Sequence, residues 1–369
     1  MKYIDEYRDP ELARGLLQLI EHRSAKLDRP VAVMEICGSH TAAIGHFGVR
    51  QLLPKNIRLL SGPGCPVCVT STGEIDAALY LAKEPNIIFS TFGDMVRVPA
   101  SGGITLQMVR AGGADVRVVL SPLDALHLAE ENPNRHVVFM GIGFETTAPT
   151  IAATLKTARK KSIGNFSVLS VHKVIPPALQ ILIDSPQLWI DGFICPGHVS
   201  VIIGAEAYRP ITAAKRVAVI TGFEPVDILQ GIAMILEQID TGRFDVAIQY
   251  CRGVKPEGNA RARAVIGEVF TPVTSEWRGI GWIPGSGLAP REDYSHYDAR
   301  KRFTIPEFDS QEPPGCSCGE ILCGAKTPRE CPLFRTVCTP VNPIGPCMVS
   351  SEGTCAAYYK YHLHEKEAG

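Results

Sequence analysis

The chain has almost no net charge. Its 37 Lys and Arg stand against 38 Asp and Glu, a formal charge of −1. That removes the long-range attraction by which strongly basic proteins gather on nucleic acid or anionic membrane. No apolar run reaches the roughly 18 residues of a membrane-spanning helix, and the richest stretch, 137–155, is broken by Glu145 and Pro149. The opening MKYIDEYRDPELARG lacks the apolar stretch of a secretory signal, so a soluble cytoplasmic protein is expected. There is no P-loop and no G-x-G-x-x-G fingerprint, so nothing requires a nucleotide. With 45% hydrophobic and 20% charged residues the chain is not disordered, and 369 residues suggest two or three domains.

What is present in excess is cysteine. Of twelve, seven (Cys316, Cys318, Cys323, Cys331, Cys338, Cys347, Cys355) crowd into residues 316–355, and Cys37, Cys65, Cys68, Cys195 and Cys251 are scattered before them. In a cytosolic protein, clustered thiols point to metal or redox chemistry rather than structural disulfides.

An amphipathic helix is expected over 10–27. From residue 30, β-branched runs at 31–36, 57–60, 87–90, 116–120, 137–140, 166–171, 193–195 and 217–220 each precede an apolar-periodic segment. Strands alternating with helices indicate an α/β fold with mostly parallel sheet. Eight such units allow an eightfold barrel or two four-unit lobes. GFETTAP at 143–149 and GFEPVD at 222–227 share Gly-Phe-Glu after a strand, a weak hint of duplication. In either architecture ligands bind at the strand ends, where the unusual residues lie. The rhythm stops after 240. A helix is expected at 258–270, irregular chain at 271–315, the Cys-rich tail to 355, and a last helix over 355–366.

Three motifs carry chemistry. The tail, CSCGEILCGAKTPRECPLFRTVCTPVNPIGPCMVSSEGTC, has wide, uneven Cys spacing and no paired knuckles, which suits a [4Fe–4S] cluster better than a structural zinc. In SGPGCPVC, Cys65 and Cys68 form a C-x-x-C at a helix start. Helix N-termini favour thiolates, so this is read as a redox dithiol rather than half a zinc site. In EICGSHT, Cys37 and His40 at a strand-to-helix turn can reach one metal ion, or act as nucleophile and base; the alternative is a buried Cys beside a capping Ser39. Asp94 and Arg97, Glu145 with Thr146 and Thr147, and His198 in PGHVS are weaker candidates after strands.

Taken together, CGSHT, GPGCPVC, FGDMVRVP, GFETTAP, PGHVS and CTPVNPIGPCMVSSEGTCAAYY, in this order across residues 30–360, resemble the hydrogenase maturation factor HypD family. The resemblance implies a scaffold with redox activity on which the Fe(CN)₂CO unit of [NiFe]-hydrogenases is assembled, with the small partner HypC and the cyanide donor HypE. It implies two similar parallel-sheet lobes, at 30–135 and 136–240, and a [4Fe–4S] domain at 241–369, on which the N-terminal helix (1–29) is expected to pack. It implies iron at Cys37 near His40, a redox pair Cys65/Cys68, and cluster ligands Cys318, Cys331, Cys338 and Cys355. Cys316 could replace Cys318, Cys347 could replace Cys355, and Cys323/Cys347 could form a second disulfide. Releasing cyanide from a thiocyanate takes two electrons, which a dithiol can supply and a cluster can restore. A stand-alone disulfide reductase would use the same tail and dithiol but leave CGSHT without a task. A zinc-stabilised binding protein would have no redox role.

Overall fold

The structure is a computed structural model that describes residues 4–185 and 188–361. All eight expected strands are present: β1 (Val31–Glu35), β2 (Ile57–Ser61), β3 (Ile87–Thr91), β4 (Val116–Val118), β5 (His136–Gly141), β6 (Phe166–Ser170), β7 (Gly192–Pro196) and β8 (Val217–Thr221). A ninth, β9 (Val246–Ile248), continues the rhythm beyond 240, where it was expected to have stopped. Every residue of β1, β3, β7 and β8 is buried, the pattern of parallel strands covered on both faces.

The strands form two open parallel sheets, β2-β1-β7-β8-β9 and β4-β3-β5-β6, so the barrel is excluded. Within each sheet the spatial order by chain position is second, first, third, fourth, which makes the two lobes topologically alike. They do not follow one another as expected. The second sheet is inserted whole into the first, and the boundary placed at 135/136 falls between its own strands β4 and β5. The chain leaves the first sheet after β2 and returns as β7 beside β1. Local sequence reports each βα unit but not which earlier strand a later one joins.

The expected N-terminal helix spans Pro10–Ser24. It packs on the helix Pro225–Thr241 of the first lobe rather than on the C-terminal domain. Ile20 lies in one apolar cluster with Ile228, Ile232 and Leu236, and Arg23 donates to Ala233 O at 2.6 Å and pairs with Glu237 at 3.0 Å.

The stretch expected to be irregular contains an antiparallel hairpin, β10 (Phe270–Trp277) and β11 (Gly281–Pro290), after a helix at Ala260–Val269. Thr70 bridges to Trp277 and Lys173 to Gly287, so the hairpin touches both lobes. The Cys-rich region is mostly turns, with short helices at Cys318–Leu322 and Thr354–Tyr361; the remainder of the last expected helix lies outside the described residues.

One buried ion pair ties these parts together. Lys173, fully buried, donates to Glu74 Oε1 and Oε2 at 2.7 and 2.9 Å and to Ser275 Oγ at 2.6 Å. Removing one partner of such a pair strands the other charge in a low dielectric. Lys173→Met is expected to lower unfolding free energy by about 3–5 kcal/mol, read as a lower urea midpoint, with Lys173→Arg costing less.

Candidate functional site

In a sheet of this strand order, the ligand crevice opens at the carboxyl ends of the two neighbouring strands whose connections run to opposite sides. In the first sheet these are β1 and β7. Cys37 follows β1 and His198 follows β7. The Cys37 sulfur lies 3.9 Å from both nitrogens of His198. The next strand, β8, ends at Thr221 and is followed by Gly222 and Phe223. His40 Nε2 donates to Gly222 O at 2.8 Å and lies 2.9 Å from Thr221 Oγ1, which leaves Nδ1 as a bare, buried acceptor. The Phe223 ring lies 4.7 Å from that of His40 and 5.2 Å from that of His198.

Burial dominates the electrostatics. It pushes the Cys37 thiol up to about 12, although the amides of His40 and Ser39 at the helix start act the other way. It lowers His40 to about 4 and lowers His198 as well, so both imidazoles are neutral at neutral pH. A thiol and neutral imidazoles are the donors that soft and borderline metal ions take. Beneath them Glu35, wholly buried and pushed up to about 7, accepts the Cys37 N–H at 3.1 Å and the Thr41 hydroxyl at 2.6 Å.

The dithiol is next to this site. Gly38 N donates to Gly64 O at 2.9 Å, and Gly64 lies so close that an added Cβ would stand 2.2 Å from the Cys37 nitrogen. Cys65 then caps the four-residue helix Pro66–Val69, its sulfur accepting the Cys68 N–H at 3.3 Å. Cys68 is buried, which raises its thiol well above the ordinary range, and its helix packs against the turn Pro346–Met348, which carries Cys347.

Cys347 belongs to the Cys-rich region. Cys316, Cys318, Cys331, Cys338, Cys347 and Cys355 line one narrow cavity whose other walls include Ile321, Leu333, Phe334 and Met348. Cys347 Sγ is 2.7 Å from Cys318 Sγ. Ile344 N donates to Cys338 Sγ at 3.4 Å. Among the described residues no three Cys, His, Asp or Glu side chains converge as around a single ion. The cavity offers thiols only, in apolar walls with an amide aimed at a sulfur, a donor set that fits an iron–sulfur cluster. Cys323 is not part of this wall; its sulfur lies 3.9 Å from Gly279 O.

The turn after Cys347 closes the arrangement. Ser39 Oγ donates to Glu352 Oε1 at 2.6 Å, and Arg97, following β3, donates to Val349 O at 3.0 Å. The carboxyl ends of both sheets therefore meet on residues 347–352.

A family model described as the hydrogenase formation hypA family, and named HypD, matches residues 11–362. Hydrogenase maturation factor HypD2 of Bradyrhizobium diazoefficiens is 47% identical over 369 residues, covering 98% of this chain and 97% of its own. Hydrogenase maturation factor HypD of Azotobacter vinelandii is 46% identical over 370 residues, covering 98% and 97%. That of Escherichia coli (strain K12) is 46% identical over 374 residues and covers both chains completely. The chain belongs to the HypD family of hydrogenase maturation factors.

In this HypD-family chain, Cys37, His40, Cys65 and Cys68 come together at the first crevice, and Cys318, Cys331, Cys338 and Cys355 share the adjoining cavity. His198, weighed only as a lone imidazole, is the side chain facing Cys37. Glu352 and Phe223 lie in MVSSEGTC and GFEPVD, where Cys355 and the repeated Gly-Phe-Glu carry the stronger sequence signal. Cys195 is buried within β7 and Cys251 is exposed after β9. Among the described residues no helix is long and apolar enough to cross a membrane.

Glu145 of GFETTAP has a structural task. Its Oε1 accepts the Ile175 amide at 2.9 Å and so caps the helix Ile175–Ile183, and burial pushes its carboxyl up to about 7. A raised folded-state value means the folded protein keeps a proton that the unfolded chain loses above about pH 4.5. That stability is fully present below pH 4.5 and is lost as pH rises through 7. Glu145→Gln keeps the acceptor and removes the titration. Between pH 4.5 and 7.5 it is expected to gain on the parent by up to about 3 kcal/mol, measured by urea unfolding at several pH values; parallel curves would contradict this.

Proposed function

We propose that the chain is the scaffold on which the Fe(CN)₂CO unit of [NiFe]-hydrogenases is assembled, working in the cytoplasm with the small partner HypC and the cyanide donor HypE. The observation that carries this reading is the continuous contact from Cys37 and His198, past Gly64, to the Cys65/Cys68 dithiol, and on through Cys347 to the cysteine-lined cavity. A stand-alone disulfide reductase has no use for the first of these sites.

The iron is cargo. Cys37 supplies it a soft anionic ligand once the thiol proton is displaced, and the neutral imidazoles of His198 and His40 stand beside it. Cyanide arrives as R–S–C≡N on a donor cysteine. The Cys65 thiolate attacks the donor sulfur, forming a mixed disulfide and expelling CN⁻, which passes to the iron. Cys68 then attacks the Cys65 sulfur and frees R–S⁻. The dithiol has given two electrons, the thiocyanate has taken them, and Cys65–Cys68 is left as a disulfide.

Restoring the dithiol falls to the Cys-rich region. A [4Fe–4S] cluster held there would supply electrons one at a time. Cys318 and Cys347, with their sulfurs 2.7 Å apart, are read as a thiol pair rather than as two ligands of one cluster. Setting that pair aside leaves Cys316, Cys331, Cys338 and Cys355 of the six wall cysteines to hold it, with the pair beside the helix that carries Cys68. We therefore favour Cys316 over the expected Cys318 as ligand, with Cys318/Cys347 as a second dithiol that reduces the first by exchange. This replaces Cys323/Cys347 as the second disulfide.

Two outcomes test the proposal. Anaerobically prepared chain with HypC should carry iron beyond the four of a cluster and show CO and CN infrared stretches. Cys37→Ala should keep the brown cluster but lose the extra iron and the bands; retained bands would move the iron site elsewhere. Separately, Cys316→Ala should lose the cluster absorption, whereas Cys318→Ala should keep it and release cyanide from a thiocyanate-loaded donor once per chain without recycling. Loss of the cluster in Cys318→Ala instead would return the ligand role to Cys318.

A further inference from the structure

Between the dithiol loop and the cysteine-lined cavity lies a buried cation to which neither site assigns a role. Arg278 is 2% exposed. Its backbone N–H donates to Val69 O and its Nε to Thr70 O, both at 2.9 Å, one and two residues after Cys68. Its Nη1 pairs with Glu312, four residues before Cys316, and its Nη2 is buried without a partner. The next residue, Gly279, presses on the helix that starts at Cys318: an added Cβ would stand 2.0 Å from the Gly319 Cα.

A guanidinium is costly to desolvate, and a buried one is ordinarily matched by a buried carboxylate with all its N–H groups satisfied. Arg278 is not. Its counter-ion Glu312 is 48% exposed and also accepts from Thr72 Oγ1 at 2.8 Å, and both N–H donors of Nη2 are unspent. The positive charge is therefore only partly neutralised. A cluster with four thiolate ligands is negative, and each electron it accepts makes it more so. A buried cation nearby favours the reduced form, and at low dielectric the effect is large.

We propose that Arg278 is a positioning residue that raises the reduction potential of the cluster held by Cys316, Cys331, Cys338 and Cys355, with Glu312 moderating its charge. This rests on the cluster reading above.

The test is an anaerobic redox titration of the full chain, followed by visible absorption and by electron paramagnetic resonance of the reduced cluster, with iron and sulfide assayed in each sample. Arg278→Met should shift the midpoint to a more negative potential, and Arg278→Lys should restore part of the shift. Glu312→Gln keeps a hydrogen-bond acceptor but removes the opposing charge, so it should shift the midpoint the other way. A merely structural role does not give shifts of opposite sign. If Arg278→Met does not load its cluster, the direction in Glu312→Gln decides. Full iron and sulfide with an unmoved midpoint in Glu312→Gln, or in a loaded Arg278→Met, overturns this inference alone. Parent protein that binds neither iron nor sulfide overturns the cluster reading, and this inference with it.

Discussion

Thiols exchange with one another, or ligate one metal centre, only when they are held close together, and here they come from strand ends and loops far apart in the chain. The approach that contact demands is closer than a Cβ permits. An added Cβ at Gly64 would stand 2.2 Å from Cys37 N, one at Gly38 2.5 Å from the Glu352 Cβ, and one at Gly353 2.2 Å from Cys347 O. All three fall well inside any tolerated separation. None of these three glycines has a positive φ. Their value is the absent side chain, which lets the CGSHT turn, the CPVC loop and the 347–353 turn lie backbone against backbone.

Close packing excludes water, and that sets the chemistry. Cys37 is held as a neutral thiol and His40 and His198 as neutral imidazoles because charging any of them in this interior is costly. The pocket is therefore unlike an ion-pair site, where fixed carboxylates would bind any divalent cation. Its sulfur and nitrogen donors favour a soft or borderline ion over magnesium or calcium. Glu35 and Glu352 flank the thiol without replacing it, the first holding its backbone amide and the second the neighbouring Ser39 hydroxyl. The carboxylates shape the turn while sulfur and nitrogen face the crevice.

Eight strands were legible because each is a short β-branched run and most are buried on both faces, so composition reports their place directly. The hairpin was not legible. Pro272, Pro284, Gly285, Gly287 and Pro290 read as loop, and the strands hold together through cross-strand pairing and the buried Trp277 rather than through propensity. The insertion of one lobe into the other was not legible either, since β7 carries no local mark that it will pair with β1. At the site, the three cysteine motifs were evident from residue type and spacing, and family resemblance implied their tasks. Which of two cysteines separated by one residue faces which neighbour was beyond that reading. Cys318 is distinguished from Cys316 by its contact with Cys347, 29 residues on, and contacts of that kind are written in the fold alone.

The insertion also explains how the two thiol sites of the first lobe are placed by different means. Cys37 follows β1, the strand between β2 and β7, so the sheet itself fixes it. Cys65 and Cys68 follow β2, at the sheet edge, where the chain departs for the inserted lobe. The helix that holds them, Pro66–Val69, has four residues, too few to be stable alone. Its position is imposed from outside. Gly64 presses it onto Cys37, Arg278 holds the carbonyls of Val69 and Thr70, and Glu74 both closes the Ser71 capping box and anchors Lys173 from the far end of the inserted lobe. The Cys37 thiol thus inherits its geometry from a strand register. The dithiol inherits its geometry from the first lobe, the inserted lobe and the hairpin together, and it stays beside Cys37 only while all three remain packed around it.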